Sequence, residues 1–199
     1  MTTYLRALAL VSLFIASCRA SEPVPHCPAG FAQNDGRAKH LWERLGTASA
    51  GAALLARSAS KPPLCFGQTE LSTLTTNGVI YFDDKLDESE GAARLGHLFT
   101  HFVDGMPMAN PRPTDCETQV DEALRAESVA LSLELQLRRE LASRNARIVY
   151  EFEPSYWVAV PAERERLIFD YLRAHPQGAP GIDGLAAGYA KRCREAIKR

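Results

Sequence analysis

Val79-Ile-Tyr-Phe82, followed by Asp83-Asp-Lys-Leu-Asp87 and then Glu88-Ser-Glu-Gly-Ala-Ala-Arg-Leu-Gly-His97-Leu-Phe-Thr-His101, is the stretch on which the fold turns. Its first four residues are an apolar, aromatic-rich run bounded by Gly78 and Asp83, which reads as a short strand. Residues 88–103 read as a helix, with Asp87 or Ser89 as N-cap and Gly105-Met-Pro107 as its stop. On that helix His97 and His101 stand four apart. A four-residue step turns about 400° and rises about 6 Å, so the two imidazoles share a face and can reach one metal ion.

Working outward, Leu64-Cys-Phe66 is a second strand candidate, and Thr76-Asn77-Gly78 between the two runs is a turn signal. Upstream, residues 36–60 read as one or two helices anchored by Leu41, Trp42, Leu45, Leu54 and Leu55, interrupted at Gly46 and Gly51 and stopped by Lys61-Pro-Pro63. Downstream of the Pro-rich loop 110–113, the longest helix runs over 115–143, with Val120, Ala123, Leu124, Leu131, Leu135 and Leu137 as apolar positions. Ile148-Val-Tyr-Glu-Phe152 alternates in part and reads as a third strand; residues 161–174 and 184–198 read as two further helices. The expected fold class is α+β and mainly helical, a small sheet packed on the His-bearing helix and the long helix after it.

This order of strand, His97-x-x-x-His101 helix, loop and long helix bearing Glu127 and, three residues on, Ala130 resembles the core of the zincin metallopeptidases, in their gluzincin-like branch. The resemblance covers roughly residues 64–140 and implies a zinc site of His97, His101 and Glu127. The sequence departs from the family at Leu98, where the peptidases carry the glutamate that activates water. Leucine cannot take a proton, and general acid–base assistance is typically worth about 10²–10⁴ in rate. Glu90 and Asp104 share the helical stripe of His97 but lie about 10 Å along the axis. Two other ligand sets remain open: His97, His101 and Asp104 on one helix, or Glu122 in place of Glu127. A plainer reading also stands, in which the two histidines are buried helix residues hydrogen-bonded to neighbours.

At the N-terminus, Arg6 precedes an apolar or small run over 7–16, about ten residues long, which is an export leader and falls well short of the roughly 20 needed for a membrane-crossing helix. Ile15-Ala16-Ser17-Cys18 resembles the lipobox of bacterial lipoproteins. The resemblance implies cleavage before Cys18, acylation of that cysteine by palmitate-type chains, and anchorage to a membrane of the cell envelope outside the cytoplasm. The expected organisation is a signal peptide over 1–17, a lipidated Cys18 with a flexible tether over 18–35, and one zincin-like domain over 36–199.

Four later cysteines, Cys27, Cys65, Cys116 and Cys193, fit two disulfides in an oxidising compartment; three pairings are open, with Cys65–Cys116 leaned on because it brackets the histidines. A zinc site built from the four is disfavoured, because no C-x-x-C pair occurs. A formal net charge of −1 argues against a nucleic-acid partner. Lys191-Arg-Cys-Arg194 with Lys198 and Arg199 reads as the cationic end of the last helix rather than a lipid-binding patch. His26, His40 and His175 have no partner at metal-ligand spacing, and no Gly-x-Ser-x-Gly elbow occurs. The functional expectation is an envelope lipoprotein with a degenerate metallopeptidase-like domain in a non-catalytic binding or scaffolding role, its protein partner open. The alternative is a zinc-dependent hydrolase with an unconventional base.

Overall fold

A computed structural model describes residues 27–112, 115–143 and 146–198; the leader, the lipobox and Cys18 lie outside the described residues. The chain is α+β and mainly helical, as its sequence pattern implies. A mixed sheet is built from β1 (Phe31–Ala32), β2 (Leu64–Gly67), β3 (Thr73–Leu74) and β4 (Ile80–Asp83), in the order β1-β2-β4-β3. β2 and β4 are parallel, with Leu64 opposite Ile80 and Phe66 opposite Phe82, and β1 and β3 pair antiparallel on the outer edges. The two central strands are almost wholly buried, which is why they read as unbroken apolar runs rather than alternating ones.

α1 (Asp35–Thr47) and α2 (Ser49–Leu55) cover one side, and β4 feeds α3 (Glu88–Asp104), whose N-cap Asp87 accepts the Glu90 N–H at 2.8 Å. α3 stops at Gly105, whose φ of 99° lies in the region that side chains disfavour. α4 (Cys116–Glu140) then crosses the molecule and belongs to two cores at once. Its C-terminal end, through Leu137, packs into the core formed by α1, α2, the sheet and α3. Its middle, through Leu124, Leu131 and Leu135, packs against Tyr150, Tyr156, α6 (Arg164–Ala174) and α7 (Leu185–Ile197). Between those lie α5 (Glu153–Val158), a 3-10 turn over Pro161–Glu163, and a hairpin of β5 (Gly178–Ala179) and β6 (Ile182–Asp183).

α3 and α4 come together at Gly96. A Cβ there would lie 2.3 Å from the Leu137 side chain, so any larger residue would force the buried Leu137 to shift, one residue from His97.

Three expectations need correction. The disulfides are Cys27–Cys65 and Cys116–Cys193, not Cys65–Cys116. Cys65 sits on β2 beside β1, which follows Cys27 directly, whereas Cys116 opens α4 where α7 packs on it. Residues 27–34, read as part of the tether, thus carry β1 and a disulfide cysteine. Nor is 148–152 a strand: the backbone groups of Ile148 are taken by side chains, and the carbonyls of Tyr150 and Phe152 accept from the backbone of the turn and helix that follow. Glu90 accepts the N–H groups of Arg147 and Ile148 at 2.6 and 3.2 Å, and Arg138 donates to the Ile148 carbonyl at 2.7 Å.

Candidate metal centre

The step from His97 to His101 is one helical turn, and both side chains face α4, where Glu127 meets them. Glu127 Oε2 lies 3.4 Å from His97 Nε2 and 3.2 Å from His101 Nε2. One ligand atom from each of the three residues falls within 4.8 Å of the other two. All three are buried, yet all line a cavity of about 340 Å³. Two imidazole nitrogens and one carboxylate oxygen are a donor set suited to a zinc-type ion that keeps a position open, so these residues fit a metal.

The same triad is held from behind. His97 turns its other nitrogen, Nδ1, towards Glu134 Oε2 at 3.0 Å, so its ring lies between two carboxylates placed seven residues apart on α4. At that distance the Glu134 charge favours a positive or metal-bound imidazole, although the contact is too poorly aligned to count as a hydrogen bond. Glu134 is fully buried and ion-paired with Arg94 at 3.2 Å and with Arg138, and it accepts the Tyr150 hydroxyl at 2.9 Å. Arg94 also donates to the Ser72 carbonyl at 3.0 Å, tying α3 to the approach to β3. From α7, Tyr189 donates its hydroxyl to Glu127 Oε1, leaving Oε2 for the histidine side.

The charge states follow from these contacts. Burial alone would raise the Glu127 pKa, but the imidazoles of His101 and His97 outweigh it and hold the carboxyl well below its usual range. For Glu134, burial is likewise overcome, here by Arg138, Arg94 and His97. Burial and Glu127 push the Tyr189 phenol up, so it stays a donor. Both carboxylates are therefore ionised, and Glu127 offers a full negative charge to a cation.

The structure brings His97, His101 and Glu127 together, and the rival ligands lie elsewhere. Glu122 is exposed and pairs with Arg112 at 3.3 Å; Asp104 is exposed and pairs with Arg57. Glu90 is buried but engaged with the 147–148 backbone. Leu98 lines the cavity beside His97, and the carboxylates in that lining are Glu127 and Asp183. Glu134, Arg94, Arg138, Tyr150 and Tyr189 escaped the sequence reading. A signal existed for the first and third. Positions 120, 124, 127, 131, 134, 138 and 141 step alternately by four and three along one face of α4, so Glu127, Glu134 and Arg138 stand in a stripe otherwise occupied by Val and Leu. Charges in a buried stripe call for buried partners. Tyr150 and Tyr189 reach the site by tertiary packing, which no local pattern announces.

Comparison with protein-family models, with curated proteins and with solved structures finds no match to this chain in any of the three.

Proposed function

We propose that this is an exported, lipid-anchored envelope protein that binds a zinc-type divalent ion through His97, His101 and Glu127, and that the site serves binding rather than peptide hydrolysis. The observation that carries the reading is the triad itself: three buried ligand atoms within 4.8 Å of one another, one of them backed by Glu134. A carboxylate facing the distal nitrogen of a histidine is common at metal sites and is not expected of a chance pair of helical histidines. Against hydrolysis stands Leu98, an apolar residue of the cavity lining at the sequence position where the zincins it resembles carry the water-activating glutamate. The two disulfides are compatible with an extracytoplasmic location, and among the described residues no helix is long and apolar enough to cross a membrane. Anchorage rests on the Ile15-Ala16-Ser17-Cys18 resemblance.

The test is the zinc content of purified protein after dialysis without chelator, beside His97→Ala. The expectation is about one zinc per chain, lost in the variant; metal-free protein in both sinks the reading. Hydrolysis with an unconventional base has one observation in its favour, Asp183 in the same cavity lining. Zinc-dependent cleavage of peptides by the unaltered protein, abolished by Asp183→Asn, would favour it.

A further inference from the structure

Three features of the cavity are not used by the metal centre alone. Its walls are apolar over much of their extent, with Leu71, Leu74, Leu98, Leu131, Ile182 and Leu185 drawn from the β3 edge, α3, α4, β6 and α7. Two guanidinium groups, Arg94 and Arg192, belong to the same lining. Arg94 spends two of its nitrogens on Glu134 and the Ser72 carbonyl, while its buried Nε has no hydrogen-bond partner among the described residues. Arg192 is exposed and lies over the Tyr189 ring, 5.3 Å from its centre, above the phenol that holds Glu127.

The charges of the lining decide what fits. With the buried Glu134 and Arg138 behind the lining included, Arg94, Arg138 and Arg192 balance Glu127, Glu134 and Asp183, so a divalent ion on the triad leaves the site about two charges positive. In a site walled by hydrocarbon, that excess favours an anion over water or a neutral group. Leu98 acquires a positive meaning here. A carboxylate at that position would cancel part of the excess and repel an anion approaching His97, whereas leucine extends the apolar wall up to the metal ligands.

On these grounds, and resting on the metal reading above, we infer that the cavity binds a carboxylate carried on an apolar body. The carboxylate lies at the His97–His101–Glu127 end, countered by Arg192 and by the unpartnered Nε of Arg94, and the body lies against the leucines. Such a group occurs both at the head of a free acyl chain and at the C-terminus of a peptide ending in an apolar residue. The chemistry is shared; the source is a matter for the test.

The test is calorimetric titration of the full chain, zinc-loaded and zinc-stripped, with octanoate and with N-acetyl-leucine, using 1-octanol and octylamine as neutral and cationic controls. Zinc content is measured first. The expected result is saturable binding of at least one of the two acids, lost on stripping the zinc and absent for both controls. Which acid binds more tightly assigns the source. Arg192→Ala should weaken that binding about tenfold, the loss of one charge-assisted contact of about 1.4 kcal/mol, with zinc content unchanged. Leu98→Glu should weaken it as well where melting shows the variant folded, and Arg192→Ala carries the test where it is not. Zinc bound with neither acid binding, or with octanol binding as well as octanoate, overturns the inference and leaves the metal reading standing. A chain that takes up no zinc overturns both.

Discussion

Burying Glu134 completely costs several kcal/mol unless its charge is matched, and the match comes from Arg94, Arg138 and Tyr150 while His97 takes the remaining approach. Its folded-state pKa is depressed well below the ordinary 4.5. The stabilisation this represents is therefore fully present above the unfolded carboxylate value and is lost as the pH falls below it, through the depressed one. Metal-free protein should have a steep acid limb in its denaturant midpoint as the pH falls below the ordinary carboxylate value of 4.5. In Glu134→Gln that limb should flatten, and at neutral pH the variant should lose about 3–5 kcal/mol because Arg94 and Arg138 are left unmatched. An acid limb as steep in the variant as in the unaltered protein would mean that Glu134 does not carry the dependence. Tyr189 offers a gentler probe, since Tyr189→Phe removes only the hydroxyl that fixes Glu127 Oε1. Outer-shell losses typically weaken a metal by about 10–100-fold, so competition against a chromophoric chelator should show zinc held that much less tightly. Unchanged affinity would place Tyr189 outside the site's support.

At the scale of elements, the site depends on how closely α3 and α4 approach, and Gly96 sets that distance. Alanine there gains about 1 kcal/mol of helix propensity but forces overlap with Leu137 and Leu45, at a cost of about 1–3 kcal/mol. The overlap wins, and thermal unfolding of Gly96→Ala should come several degrees lower. Gly188 on α7 is the control: nothing lies within 4 Å of its would-be Cβ, so Gly188→Ala should stabilise by about 0.5–1 kcal/mol. Equal shifts for the two variants would remove the close-approach argument. These elements also mark what local sequence can convey. Caps, stops and apolar runs placed α3, α4, β2 and β4 because those signals act within a turn or two of chain. The shared face of His97 and His101 was legible for the same reason, through helical spacing, whereas Glu127, 26 residues beyond His101, was expected only from the resemblance to the zincins. The stretch 148–152 has the strand-like composition of β2, but the backbone of Ile148 is claimed by Glu90 and Arg138 from distant helices, so its conformation is a tertiary outcome. The short strands β1, β3, β5 and β6 are two residues each, too brief to leave a period.

Across the whole molecule, the two disulfides do different work although their loops carry similar entropic weight. Closing 38 residues in Cys27–Cys65 and 77 in Cys116–Cys193 restricts the unfolded chain by about 4 and about 4.5 kcal/mol on the loop-entropy account. Removing either pair as a Cys→Ser double variant should therefore destabilise the protein to a comparable degree. Their effects on the metal centre should not be comparable. Cys193 lies one turn beyond Tyr189 on α7, and Cys116 opens the helix that carries Glu127 and Glu134, so this bridge clamps α7 onto α4 where the Tyr189–Glu127 contact is made. Cys27–Cys65 joins the chain before β1 to β2, and neither cysteine lies on α3, α4 or α7. At a temperature where both variants remain folded by circular dichroism, zinc affinity should fall in Cys116→Ser/Cys193→Ser and stay near the unaltered value in Cys27→Ser/Cys65→Ser. Equal affinity losses would mean that zinc binding simply follows global stability. A loss confined to the first variant means that the Cys116–Cys193 bridge supports zinc binding by holding α7 against α4.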